Sequence, residues 1–232
     1  MSQTDASGDS WLPGSFLGRL EPAVRAQILS TGVRRRFEAG QVLLHQDDLS
    51  THVYLLVSGV VKVTVGTAGG RTIFLSVRTA GEVVGELAAT DDGPRTATVT
   101  ACGVVHAREI NVRDWRELLA TRSSASAALH FVLTERLRAA TSRRIELGEH
   151  PASVRVARIL AYFVRRYGER YEHGWELTFP LTQPELAAAA ECSLTSTQGA
   201  LRELRLRGVI ETRYRWFVVR DLVALEDHAG LD

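Results

Sequence analysis

A chain of 232 residues, 45% hydrophobic and 24% charged, is long enough for one large domain or two small ones and has the composition of an ordinary globular protein. A formal net charge of +1 points neither toward nor away from a polyanionic partner, so any basic patch must be local. The two cysteines, Cys102 and Cys192, exclude a four-cysteine iron–sulfur or zinc site and are read as reduced, half-buried packing residues.

The opening MSQTDASGDSW is polar and acidic, without the basic start and apolar run of a secretory signal. No apolar run reaches membrane-spanning length, so a cytoplasmic location without a membrane partner is expected. The stretch PGSFLGRLEPAVRAQILSTG carries apolar residues at helical spacing. From about 37 to 110 follow short β-rich runs (QVLLHQ, VYLLVSGVVKVTV, RTIFLSV, EVVGEL, TATVTA, VVHAREI) broken at Gly40, Gly59, Gly69-Gly70, Gly81 and Gly93-Pro94. Short strands at regular spacing with turn signals predict a sandwich, barrel or jelly roll.

Within this region, VVGELAATDDGPRTATVTA places Glu86 and Arg95 on one short connection between strands. A surface salt bridge would explain the pair. So would a ligand site: an arginine forks around phosphate oxygens, a carboxylate accepts from a hydroxyl, and Gly85 leaves room for close approach. If ELAAT is helical, its start adds unpaired N–H groups.

At Asp114, read as an N-cap for DWRELLATR, the period changes to helical. SSASAALHFVLTERLRAATSRRIELG then runs about 25 residues without proline or interior glycine, longer than the usual helix of about 8–20 residues. Leu133, Leu137, Ala140, Arg144 and Leu147 fall on one seam, which fits either pairing with a second copy or packing on its own domain. The length favours a homodimer, although Arg144 interrupts the apolar seam. Gly148 and Pro151 mark a linker. VRVARILAYFVRRYG is amphipathic on Val156, Leu160, Phe163 and Tyr167, and WELTFP reads as a strand.

Residues 181–220, LTQPELAAAAECSLTSTQGALRELRLRGVIETRYRWFVVR, open on a capping box, Thr182 and Glu185, with Pro184 in the first turn. The first helix is expected to end near Glu191. Ser193 caps a second helix through Leu206, Gly208 fits the left-handed position beyond it, and VIETRYRWFVVR alternates as two strands. This is a winged helix-turn-helix. Arg202, Arg205, Arg207, Arg213, Arg215 and Arg220 stand against Glu203 and Glu211, a local positive excess that double-stranded DNA would meet. A solvated helix face is the plainer account of the same arginines.

Taken in this order, a β-roll, a long helix and a winged helix-turn-helix, the chain resembles the Crp/Fnr family of bacterial transcription regulators from about 16 to 225. Its most specific pieces are GELAATDDGPRTATV and LTQPELAAAAECSLTSTQGALRELRLRGVI. The resemblance implies an α+β fold in three parts: an effector-binding β-roll or jelly roll (1–113), a dimerisation helix and hinge (114–149) and a winged helix-turn-helix DNA-binding domain (150–232). It implies a homodimer on a two-fold DNA site, RNA polymerase as a further partner, and allosteric control by a cyclic nucleotide, cAMP or cGMP, with no obligatory cofactor.

In the family's nucleotide cassette, the residues matching Glu86, Arg95 and Thr96 bind the ribose hydroxyl and cyclic phosphate, with backbone groups at positions matching Gly85, Leu87 and Ala97. Two adjacent hydroxyl residues on the long helix meet the purine. Here the ungapped match gives Ala140 and Thr141, and a shift of one residue would use Thr141 and Ser142. Phosphate-contact positions map to Thr182, Ser193 and Ser196. Base-reading positions that are Arg, Glu and Arg in well-studied members map to Leu194, Thr195 and Gly199. Thr195 and Gln198 remain as readers, Leu194 can touch a thymine methyl, and Arg202, Arg205, Arg213 and Arg215 supply charge. The lone histidines His45, His52 and His106 are read as ordinary surface or core residues rather than haem ligands. No nucleophile–base grouping or metal spacing points to an enzyme. A second class fits the same features: an effector-independent or differently liganded dimer of the same build, acting through protein partners with weak or lost sequence-specific DNA binding.

Overall fold

The computed structural model describes residues 11–148 and 150–231, without the side chains of 143–148. Residues 1–10 of the polar opening, Glu149 and Asp232 lie outside the described residues, as do the side chains of Arg144 and Leu147.

After a single 3-10 turn, Leu17–Arg19, comes α1 (Pro22–Ser30), then β1 (Val33–Phe37), β2 (Val42–Leu44), β3 (Val53–Ser58), β4 (Val60–Gly66), β5 (Thr72–Thr79), β6 (Val83–Val84), α2 (Glu86–Asp91), β7 (Thr98–Ala101) and β8 (Val105–Ile110). These strands form two antiparallel four-stranded sheets, ordered β1-β8-β3-β6 and β2-β7-β4-β5. Leu44, Tyr54, Leu56, Val61, Val99 and Val105 fill the space between the sheets. The alternate residues of β3, Val53 and Leu55, face the other way and pack with Ile28, Trp115 and Leu129 of the covering helices. Both faces of β3 are therefore buried, so the run VYLLV is continuously apolar instead of alternating.

Sequence reading and structure differ in places. β1 lies before the expected start of the β region because its VRRRF has no alternation; four of its five residues are exposed and only the ladder to β8 makes it a strand. EVVGEL is a strand only at Val83–Val84, since Gly85 turns left-handed at φ 85° and starts α2.

The helical part comprises α3 (Val112–Thr121) and α4 (Ser123–Gly148). Asp114 is not the cap of α3. Asn111 is: its side chain accepts from Asp114 N at 2.9 Å and donates to Asp114 Oδ2 at 2.8 Å, three residues earlier than expected. α4 spans 26 residues. Its first half buries Ala125, Leu129 and Val132 against the roll. Beyond Arg136, residues 137–142 are exposed, with Leu137 at 69%.

The remaining elements are α5 (Ala152–Tyr167), β9 (Gly168–Tyr171), β10 (Gly174–Leu177), α6 (Gln183–Ala189), α7 (Leu194–Leu206), β11 (Ile210–Arg213), β12 (Trp216–Val219) and α8 (Leu222–Ala229), with a third sheet ordered β11-β12-β10-β9. Val156, Leu160, Phe163 and Tyr167, the expected apolar stripe of α5, are all buried in one core with α6, α7 and the wing. The capping box at Thr182 and Glu185 forms in both directions, Ser193 caps α7, and Gly208 has φ 71°. α6 stops at Ala189, two residues short of the expected end. α8 was not anticipated, although its signals were local: Asp221 accepts from Ala224 N at 2.9 Å and Gly230 is left-handed past the end. Among the described residues no helix is long and apolar enough to cross a membrane.

Candidate functional site

Two places gather chemistry. The first is the crossover β6–α2–β7. Gly85 closes β6, Glu86 begins α2, and Arg95 precedes β7, so one short excursion presents all three. Arg95 is 2% exposed. Its Nε donates to Ser50 Oγ at 3.1 Å, Nη1 to Gly85 O at 2.8 Å and Nη2 to His52 O at 2.6 Å. Of the five guanidinium N–H groups, two are left for a ligand. Burial draws its pKa below the ordinary guanidinium value, opposed by the Glu86 carboxylate.

Glu86, 6% exposed, does not pair with Arg95. It accepts from Arg136 Nη1 of α4 at 2.7 Å, while Arg136 Nη2 donates to Val83 O at 2.9 Å. Arg136 is a site residue the sequence reading missed. It sits one turn before Ala140 on the same helix face, but its role as a partner of a residue fifty positions away has no local signature. Its Nε is buried without a hydrogen-bond partner among the described residues. A buried N–H left open is costly. Beside it, Glu82 Oε1 lies 3.8 Å from Arg136 Nη2 and 3.8 Å from Arg78 Nε.

The other expected contacts fall around this centre. Leu87 is 42% exposed, Thr96 is exposed, and Ala97 is buried. Ala140, Thr141 and Ser142 are exposed one to two turns beyond Arg136, and the Thr141 hydroxyl donates to Leu137 O at 2.9 Å. His52 has a buried Nε2 without a hydrogen-bond partner among the described residues, and burial first, then Arg95, lowers its pKa. No group of three or more metal-ligating side chains occurs among the described residues.

Gly85 makes the crossover possible. A Cβ there would lie 2.6 Å from Arg95 Nη1 and 3.0 Å from Leu44 Cδ1, on a backbone at φ 85°. Gly85→Ala is therefore expected to push the guanidinium out of place and to lower the melting temperature, which scanning calorimetry checks.

The second place is the helix-turn-helix. Along α7 the side chains of Leu194, Thr195, Ser196 and Gln198 are exposed, as are Gly199 and Arg202. The Ser193 hydroxyl is engaged with Ser196, and Gln198 Nε2 reaches Gln183 Oε1 at 3.4 Å. Thr182 is half-buried and its hydroxyl is spent on Glu185.

The arginine count overstates the free charge. Arg205 donates to Thr212, Arg207 to His228, Arg220 to Glu211 and the His173 carbonyl, and Arg213 lies within 3.9 Å of Glu176 and Glu211. Among the described residues the guanidinium groups of Arg202 and Arg215 have no such partner.

Residues 34–122 match the cyclic nucleotide-binding domain family, and residues 154–228 match the Crp-like helix-turn-helix domain family. Together with the fold they define a regulator class: a nucleotide-binding type of roll joined to a DNA-reading head. The CRP-like cAMP-activated global transcriptional regulator of Mycobacterium tuberculosis is 27% identical over 208 residues, covering 90% of this chain and 92% of the relative. The cyclic AMP receptor protein of Thermus thermophilus is 28% identical over 201 residues, covering 87% and 90%. A CRP-family transcriptional regulator structure from Thermus thermophilus superposes with a TM-score of 0.72 at 25% identity, covering 84% of this chain and 96% of that one. The c-di-GMP-responsive regulator CLP of Xanthomonas campestris shares the fold, with a TM-score of 0.74 at 21% identity and coverage of 86% and 99%. The chain belongs to the Crp/Fnr family of transcription regulators.

Proposed function

We propose that the protein is a homodimeric DNA-binding regulator whose β-roll takes a cyclic nucleotide, cAMP before cGMP. The observation that carries this reading is the convergence of Arg95, with two N–H groups to spare, and Arg136, with an orphaned Nε, on either side of Glu86. Two arginines around the buried Glu86 carboxylate suit a ligand with a phosphodiester and a neighbouring hydroxyl. The ribose hydroxyl takes Glu86 as acceptor, and the phosphate takes the free N–H groups of Arg95 with Thr96. The preference for cAMP draws on the names of the two relatives above. The purine falls to Thr141 or Ser142, whose exposed positions one turn past Arg136 leave them open to it. Titration calorimetry with cAMP, cGMP and c-di-GMP tests the assignment, and heat from c-di-GMP alone would overturn it.

On DNA, Ser193 and Ser196 at the start of α7 fit phosphate oxygens, Arg202 and Arg215 supply free charge, and Thr195 and Gln198 reach base edges. Thr182 contributes its place at the helix start more than its hydroxyl, which is already committed. Leucine and glycine at positions 194 and 199 cannot form bidentate bonds to guanine. Binding to the family's best-known operator is accordingly expected within about tenfold of scrambled DNA; a preference of about a hundredfold or more in competition shift assays would refute this.

A further inference from the structure

The outer face of the β2-β7-β4-β5 sheet carries the helix-turn-helix half of the same chain. A bulge makes this possible. Val63 pairs with Ser76 but Thr64 with Phe74, leaving Leu75 as an extra residue. Phe74 and Val77, three apart, thereby share the face of Lys62 and Thr64. Phe74 meets Phe163 of α5 edge-on at 5.7 Å between ring centres, and the Tyr167 hydroxyl donates to Val77 O at 3.2 Å.

Beside this apolar contact stands Lys62, the chain's only lysine. It is 6% exposed, and its Nζ lies 2.7 Å from Glu185 Oε1. The other oxygen of the same carboxylate accepts from Thr182 N at 2.7 Å and from Thr182 Oγ1 at 2.8 Å. One glutamate thus caps the first helix of the helix-turn-helix and ties it to the roll. The contact is not closed around this pair. A cleft of about 760 Å³ runs alongside, lined by Lys62, Thr64, Thr100, Cys102, Arg215 and Trp216 among others. Protein interiors are close-packed, so an ion pair with a cleft at its side has the character of a separable interdomain contact.

A helix-turn-helix seated in the major groove lays its first helix across the DNA backbone. Here the start of that helix faces the roll, while the groove-reading face of α7 is exposed. The wing tip, Arg215 and Trp216, also lines the cleft. A duplex docked on α7 would find the roll at the place where phosphates should meet α6. Because β4 and β5 turn their inner face, including Val61 and Val63, toward the roll interior, a shift of these two strands moves both faces together.

We propose that the Lys62–Glu185 pair is a latch, holding the helix-turn-helix against the roll in an arrangement of low DNA affinity until an effector in the roll displaces β4 and β5. The latch rests on the DNA-binding reading above. It is built to release: once the cleft widens, each charge regains water and the pair loses the burial that makes it strong.

The test uses the full chain without nucleotide, as wild type, Lys62→Met, Lys62→Arg and Glu185→Gln. The last keeps an acceptor for Thr182 and removes only the charge. Amide hydrogen exchange across β4, β5 and the start of α6 reports the latch, and a gel shift with random-sequence duplex DNA reports its consequence. Lys62→Met and Glu185→Gln are expected to speed exchange in those segments and to raise DNA affinity about tenfold, a typical allosteric coupling; Lys62→Arg should stay near wild type. Unchanged exchange in both charge-removing variants overturns the latch, and so does faster exchange with equal or weaker DNA binding. If wild type binds DNA with nucleotide while both variants behave like it, only the latch fails. If no variant binds DNA even with nucleotide, the DNA-binding reading fails and takes the latch with it.

Discussion

Arg95→Ala is expected to lower cyclic-nucleotide affinity at least about 100-fold and, in the same protein, to lower the melting temperature by roughly 5–10 °C. The two losses have different sources. Each hydrogen bond from a guanidinium to a phosphate is worth about 1.5–3 kcal/mol, so losing two accounts for the affinity. The melting temperature falls because Arg95 also satisfies the carbonyl groups of Gly85 and His52 and the hydroxyl of Ser50. Alanine strips the His52 carbonyl of its donor and leaves Gly85 O with Ala89 N alone, at 3.3 Å; an unsatisfied buried group costs about 1–3 kcal/mol. Thr96→Ala separates the effects, since Thr96 is exposed and its loss should weaken the nucleotide while sparing stability. Titration calorimetry and scanning calorimetry on the same samples decide the matter. An Arg95→Ala protein that melts early but still binds cAMP normally would reduce Arg95 to a structural clamp.

Leu137→Asp is expected to convert a dimer into monomers, read by light scattering, and to cost at least about 100-fold in affinity for a two-fold DNA site. Leu137 is 69% exposed in a single chain, in the stretch of α4 that leaves the roll. Burying it against its counterpart is what a two-stranded helix seam would do. An aspartate there meets its own copy across the axis, combining lost apolar burial with like-charge repulsion. Because the side chain is exposed in the monomer, the fold of each chain should survive, and a circular dichroism spectrum should not change. The DNA loss follows from linkage: a second recognition helix held about 34 Å away binds at a high effective concentration, and a monomer forfeits it. Wild-type protein that scatters as a monomer would overturn the spine outright. Leu133 is less suitable for this test, since it is half-buried against its own roll.

The expected pieces of this fold are those whose physics is local. A capping box spans four residues, a left-handed glycine acts at its own position, and an uninterrupted helical period can be counted along the chain. The capping box at Thr182, the Ser193 cap, Gly208, the boundaries of α4 and the placing of Glu86 and Arg95 on one crossover were all legible in this way. The Asp221 cap and Gly230 of α8 were equally local signals, and the sequence reading passed over them.

The partners of the charges were not legible. Glu86 and Arg95 look like a pair in the sequence, yet Glu86 takes Arg136 from α4 and Arg95 takes three oxygens of the roll. The arginines of the helix-turn-helix looked alike too, but four of the six are engaged with neighbours. Lys62 and Glu185 stand 123 residues apart. An arginine or a glutamate is soluble almost anywhere on a surface, so its type alone says little about its neighbour. Which charge meets which is settled only when strands and helices pack, because the cost of burying an unpaired charge then acts on whatever lies within a few ångströms.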